Sequence, residues 1–120
     1  MVLPNFEENL QKDFINFSSI LYASSILFVI KLNESLRFYV NCRKLNVIIK
    51  RNHYFISLIE ETLTRVIECK YLIKLNIITA FNKLYIHSNS KDITTFITTL
   101  GIYKYWVLPF GLINGSSLFQ

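Results

Sequence analysis

The sequence predicts an α+β domain, and three observations carry that prediction. Residues 5–14 and 57–69 each place apolar side chains at helical intervals behind a residue suited to cap a helix. Several short runs, led by 26–30 and 36–41, are apolar or alternate apolar with polar, as strands do. The strand-like runs succeed one another across short polar gaps, which favours mainly antiparallel pairing.

Taken in order, Asn5 is placed to cap the first helix, with Glu8 three residues on and Phe6, Leu10 and Phe14 along one stripe. Ser18 and Ser19 break that period. Ile26–Ile30 reads as a strand, residues 32–35 as a turn without glycine, and Leu36, Phe38 and Val40 as one face of a second strand. The two make a hairpin with Lys31 and Arg37 near its tip. Two such cations are either ordinary solvated charges or a phosphate clamp, Arg offering a planar fork and Lys a point charge. Ser57 and Glu60 have capping-box spacing, Ile59, Leu63, Val66 and Ile67 form a stripe, and Glu61 faces Arg65 across one turn.

Residues 73–81 are apolar and β-branched, which suits a buried strand, with Lys74 and Asn76 on one face among apolar neighbours. That pattern fits an edge strand with a wet face or a hydrogen-bonded core amide. Further strands are expected at 84–87, 94–98 and 103–108, with a turn at 88–90 and a sharp break at Pro109-Phe110-Gly111. A helix starting near 114–117 and stopping at Gln120 gives the expectation of a truncated domain.

A chain of 120 residues supports one domain with a modest core. At 52% hydrophobic residues it is not a disordered composition. Six cations lie between Lys31 and Arg51 against the single acid Glu34, so this segment carries the whole net charge of +5. Such a field is either a solubilising surface or an attraction for a polyanion. Cys42 and Cys69 give no disulfide framework, and with His53 and His87 they lack zinc-ligand spacing, so an intracellular, reducing compartment is expected. Ile15–Ile30 is uncharged, but at sixteen residues it is shorter than the ~20 needed to span a bilayer, so no stable membrane insertion is expected; association of this run with a membrane surface remains a minor alternative.

Three blocks then share one resemblance. The first is Tyr22 to Val29 with Ser35-Leu36-Arg37-Phe38 and Val40 to Asn46. The second is Lys74-Leu75-Asn76 with Ala80-Phe81-Asn82, and the third is Tyr103 to Asn114 with Phe119-Gln120. In this order and spacing they resemble the fingers and first part of the palm of reverse transcriptases (RNA-directed DNA polymerases) of gypsy-type LTR retrotransposons, from about Lys12 to Gln120. The implied division is 1–20 as helix and lead-in, 21–70 as fingers-like and 71–120 as incomplete palm. The resemblance implies nucleotide binding at Lys31, Arg37, Ile77, Phe81, Phe110 and Gly111, with Lys31 and Arg37 on the triphosphate and Phe81 as the floor under the sugar. It implies template-primer phosphate contacts at Arg43, Lys44, Lys50 and Arg51, and Mg²⁺ as cofactor.

Departures from that pattern set the expected activity. Asn76 stands where the family has a metal-binding Asp, a neutral amide in place of the anionic oxygen that Mg²⁺ prefers. The family's remaining carboxylates lie in a Tyr-x-Asp-Asp hairpin beyond the third block, and the only aspartates here, Asp13 and Asp92, match no catalytic position. Ser25, Asn33-Glu34, Asn41-Cys42, Phe55 and Ser57 replace a Pro, an Asp-Gly turn, an Asp-Tyr pair and two further prolines. The expectation is a catalytically inactive polymerase fragment with no intact metal site; a residual nucleic-acid or nucleotide-binding module is the alternative.

Overall fold

In the computed structural model, which describes residues 6–53 and 58–119, the central strand is β5 (Gly101–Tyr105). It lies between β1 (Ile15–Phe17) and β4 (Phe96–Thr98) in an antiparallel sheet of order β1-β5-β4. Ile15 pairs with Tyr105 on one side and Phe96 with Tyr103 on the other. A separate hairpin joins β2 (Ile26–Ile30) to β3 (Leu36–Val40), with Ile26 opposite Val40 and Val29 opposite Arg37. The hairpin is tied to the sheet at Ser24, whose N–H donates to the Thr95 carbonyl (2.8 Å) and whose carbonyl accepts from Ile97 N–H (3.0 Å).

These elements close on an aromatic core. Phe6 of α1 (Phe6–Gln11), Phe38 and Val40 of β3, Phe96 of β4 and Tyr103 of β5 are all buried, together with Ile15 and Cys42. Phe6 meets Tyr103 edge-on with centroids 4.8 Å apart, and Phe96 lies 5.0 Å from the Tyr105 ring. Such pairs add about 0.5–1.5 kcal/mol each beyond the area they bury. Leu36 shares the inward face of β3 but is exposed, because it sits at the hairpin's end, past the core.

Helix α1 ends earlier than its apolar period. Asp13 takes a left-handed φ of 55°, Asp13 N–H donates to the Leu10 carbonyl, and Phe14 N–H donates to the Asn9 carbonyl. This is a Schellman close with Asp in the position glycine usually fills, and it leaves Phe14 outside the helix. At the hairpin tip Glu34 also takes φ 60°, and the turn is held by Lys31 N–H on the Ser35 carbonyl and by the Ser35 hydroxyl on Asn33 Oδ1. The caps expected at Asn5 and Ser57 lie outside the described residues.

Several expectations are corrected. Residues 71–77 have no regular secondary structure and belong to no sheet, and 80–83 form a 3-10 turn. Strand propensity is met only when a partner edge supplies the hydrogen bonds, and among the described residues no strand pairs with this stretch. Residues 84–87 contribute a lone bridge, Tyr85 to Val107, rather than a strand. The last strand starts at Gly101 and ends at Tyr105 instead of covering 103–108. The uncharged run 15–30 contains β1 and β2, and among the described residues no helix is long and apolar enough to cross a membrane. Among the described residues, β1, α2 (Arg43–Ile48) and a 3-10 turn over Asp92–Thr94 were unexpected.

Helix α3 (Ile59–Ile67) forms as its period predicts, with acids in its first turn and Arg65 in its last, as the helix dipole favours. Its stripe does not find a core. Ile59 and Ile67 are exposed, and so are Tyr71, Leu72, Ile77 and Ile78, with Ile73 and Leu75 both at 86%. An apolar surface this continuous promotes association. Ile73→Ser with Leu75→Ser is expected to reduce self-association of the 120-residue chain by light scattering. Because neither side chain is packed, the unfolding free energy should change by no more than about 0.5 kcal/mol.

Candidate functional site

A line of contacts runs from the hairpin to the last helix. The Arg37 guanidinium donates to the Tyr39 hydroxyl (3.2 Å), the Tyr39 and Phe110 rings meet edge-on at 6.2 Å, and Phe110 meets Phe81 edge-on at 4.9 Å. Phe81 then packs on α4 (Gly115–Phe119), where a Cβ at Gly115 would stand 3.2 Å from the ring. Gly111, at φ 101°, lets the turn after Pro109 pass close to the Val40 carbonyl and the Cys42 sulfur, each 3.7 Å from where a Cβ would be. The Pro-Phe-Gly turn is therefore pressed against the end of β3 while Phe110 stays half exposed.

Beside this line lies a cleft of about 490 Å³. Arg37, Phe110 and Thr79 line it together with Lys12 just past α1, Phe38 and Tyr105. Thr79 has φ 53°. A β-branched residue in that left-handed region is strained, and such strain concentrates where a local geometry is fixed by its surroundings. Burial pushes the Tyr105 phenol up, with the neighbouring Cys42 adding to it, so Tyr105 lines the cleft as a neutral phenol. Burial likewise raises the Cys42 thiol, which keeps it unreactive; Cys69 is exposed.

Two side-chain amides that the sequence reading did not single out hold the turn. Asn46 Nδ2 donates to the Gly111 carbonyl (2.8 Å), and Asn46 Oδ1 accepts from Ile113 N–H (2.9 Å). Asn114 Nδ2 donates to the Lys50 carbonyl (2.9 Å), and its Oδ1 accepts from Asn52 N–H (2.9 Å). Each amide uses both ends, so the segment 46–52 and the segment 111–114 are clamped from both sides. The local sequence hint was slight: two asparagines flanked by apolar residues, each next to a break in pattern.

The other expected positions fall in three places. Lys31 lies at the hairpin end; Val29 faces Arg37, and continuing the alternation by one step puts Lys31 on the same face. Arg43 and Lys44 on α2 and Lys50 and Arg51 after it are all exposed, and among the described residues none of the four takes part in an ion pair. Asn76 and Ile77 lie in the exposed, irregular stretch that leads into Thr79 and Phe81 and do not line the cleft. Among the described residues no group of three or more His, Cys, Asp or Glu is arranged to hold a metal ion. Asn76 itself carries a neutral amide, which offers Mg²⁺ a carbonyl oxygen and no charge.

Residues 29–120 match the family described as reverse transcriptase (RNA-dependent DNA polymerase). The Transposon Tf2-3 and Tf2-7 polyproteins of Schizosaccharomyces pombe (strain 972 / ATCC 24843) are each 26% identical over 113 residues, 94% of this chain. The chain spans only 8% of the length of those polyproteins. Among solved structures, a prototype foamy virus protease-reverse transcriptase mutant superposes with a TM-score of 0.84 at 20% identity, over 94% of this chain and 15% of that one. A foamy viral protease-reverse transcriptase in complex with double-stranded DNA gives a TM-score of 0.78 at 19% identity, over 93% of this chain and 20% of that one. The fold is thus the α+β fold of a polymerase fingers and palm fragment.

The clamps make a measurable contribution. Asn46→Ala removes a donor and an acceptor at once and leaves the Ile113 N–H without its partner, so it should destabilise the chain by about 1–3 kcal/mol. Asn46→Asp keeps the acceptor and should lie between Ala and the native residue. Urea unfolding of the three proteins checks the order.

Proposed function

The chain belongs to the reverse transcriptase (RNA-dependent DNA polymerase) family, and on that premise we propose that it is a stretch of the polymerase of a gypsy-type LTR retrotransposon that retains nucleotide- and nucleic-acid-binding elements without a working catalytic centre of its own. In this reading residues 1–20 are the lead-in, 21–70 the fingers and 71–120 part of the palm. The observation that carries it is the contact series Arg37–Tyr39–Phe110–Phe81 beside an open cleft. A guanidinium at one end suits a triphosphate, and an aromatic pair at the other suits a sugar and base. Lys31 adds a second charge from the hairpin, Gly111 gives the turn its close approach, and Ile77 lies on the approach to Phe81.

The inactivity of the chain rests on Asn76. Two dications held close together need carboxylates to offset their repulsion, and polymerases of this kind use two metals to activate the attacking oxygen and steady the leaving pyrophosphate. A neutral amide in that set should lower the rate at least about a thousandfold, by comparison with removal of a key electrostatic group. The 120-residue chain is expected not to extend a primed RNA or DNA template with Mg²⁺ or Mn²⁺. Asn76→Asp alone should leave it inactive, because a single carboxylate is still short of the set required. Primer extension by either protein above the level of a mock purification would refute this.

A binding module without chemistry is the second reading, favoured by the four exposed cations Arg43, Lys44, Lys50 and Arg51, which take part in no ion pair among the described residues. Binding through them should be independent of sequence and fall with salt. Replacing all four by Ala is expected to flatten the dependence of log K on log salt by up to about four times the ~0.9 due to each phosphate contact. Filter-binding titrations at several salt concentrations measure that slope.

A further inference from the structure

The cleft has a second cation that the nucleotide-binding reading does not use. Lys12, one residue past α1, lines the same cleft as Arg37. Its ammonium is paired with Glu8 one turn back on the same element, and both side chains are more than half exposed. Phe14, Phe38 and Tyr105 also line the cleft, so its positive charge comes from Lys12 and Arg37.

The magnitudes favour exchange of partners. An exposed pair of this spacing contributes about 0.3–0.5 kcal/mol, and its lysine keeps two further donor protons for another acceptor. A phosphate group with several negative oxygens between Lys12 and Arg37 would gain two charge-assisted contacts, each about twice as strong as a neutral hydrogen bond. At about 490 Å³ the cleft lies within the ordinary range for small-molecule sites. Glu8, left behind on the rim, would repel the same phosphate.

We propose that Lys12 is a phosphate-binding residue of this cleft, held by Glu8 in the empty state and released to a triphosphate that Arg37 also contacts. The proposal rests on the reading of the cleft as a nucleotide site and adds a residue to it from outside the hairpin. Lys12 sets affinity for the phosphates, and Glu8 sets it in the opposite sense. The two therefore form a charge pair that tunes the site, rather than a structural contact alone.

Competition by inorganic tripolyphosphate against a fluorescently labelled deoxynucleoside triphosphate, followed by anisotropy at low salt with the 120-residue chain, tests this. Lys12→Ala should weaken tripolyphosphate about tenfold and Lys12→Arg should restore it. Glu8→Gln should tighten it a fewfold, because it removes both the competing partner and the repulsion, a change that a merely structural pair would not produce. If Arg37→Ala weakens binding while Lys12→Ala and Glu8→Gln leave it unchanged, the role of Lys12 is overturned and the nucleotide site stands. If the native chain binds neither probe, the nucleotide site itself is overturned and the role of Lys12 with it. Unchanged thermal unfolding of the Lys12→Ala and Glu8→Gln proteins, to within what an exposed pair contributes, shows that binding rather than folding is being read.

Discussion

Burial of the Phe96 ring is the constraint from which the remaining geometry follows. The ring is wholly buried and lies within 6.2 Å of Phe38 and Tyr103 and 5.0 Å of Tyr105, so it joins β3 to both outer and central strands of the sheet. Ser24 bonds on either side of it fix the strand's height. With β3 held there, the turn after Pro109 lies against Val40 and Cys42, and it reaches them with a φ of 101° that favours glycine, which sets Gly111. Phe110 follows from Gly111, and Phe81 from Phe110. The candidate site is thus the outer layer of the aromatic core rather than a separate construction on its surface.

The parts of the fold that were legible are those whose evidence is local. The β2–β3 hairpin was readable from alternation, and α3 from its stripe and its charged ends. The stripe could not tell that α3 would stay uncovered, since periodicity names a face and not what meets it. The run 73–81 misled for the same reason: β-branched composition favours a strand, but pairing is a long-range property. β1 is three residues inside an uncharged run, and α2 begins on cations with no side-chain cap, so neither carried a local signal. At the site, Arg37, Phe81 and Phe110 stood out through the order of the three blocks. Asn46 and Lys12 did not, because each matters through residues distant in the chain.

In the proposed reading the chain keeps positive charge where a polyanion would lie and lacks negative charge where metal ions would. The two demands differ in how strictly they constrain the sequence. Exposed cations such as Arg43 and Lys44 suit any soluble surface, and either basic residue attracts phosphate. A carboxylate set around two dications needs particular oxygens at particular places. Affinity can therefore outlast turnover in such a scaffold, and the asymmetry between Arg37 and Asn76 is what that order of loss would leave.

The Asn114 clamp has a chemical consequence as well as a mechanical one. Asn followed by Gly, as in Asn114-Gly115, is the dipeptide most open to ring closure and deamidation, because the small neighbour lets its backbone nitrogen reach the side-chain carbonyl. Here that carbonyl is occupied by the Asn52 N–H, the amide nitrogen by the Lys50 carbonyl, and the Gly115 N–H by Leu112. The folded arrangement holds the reacting atoms in other bonds and so slows the ageing of its own fastener. Once the clamp opens, conversion to aspartate would exchange a donor for an anion facing the Lys50 carbonyl, and the turn could not close again in the same way.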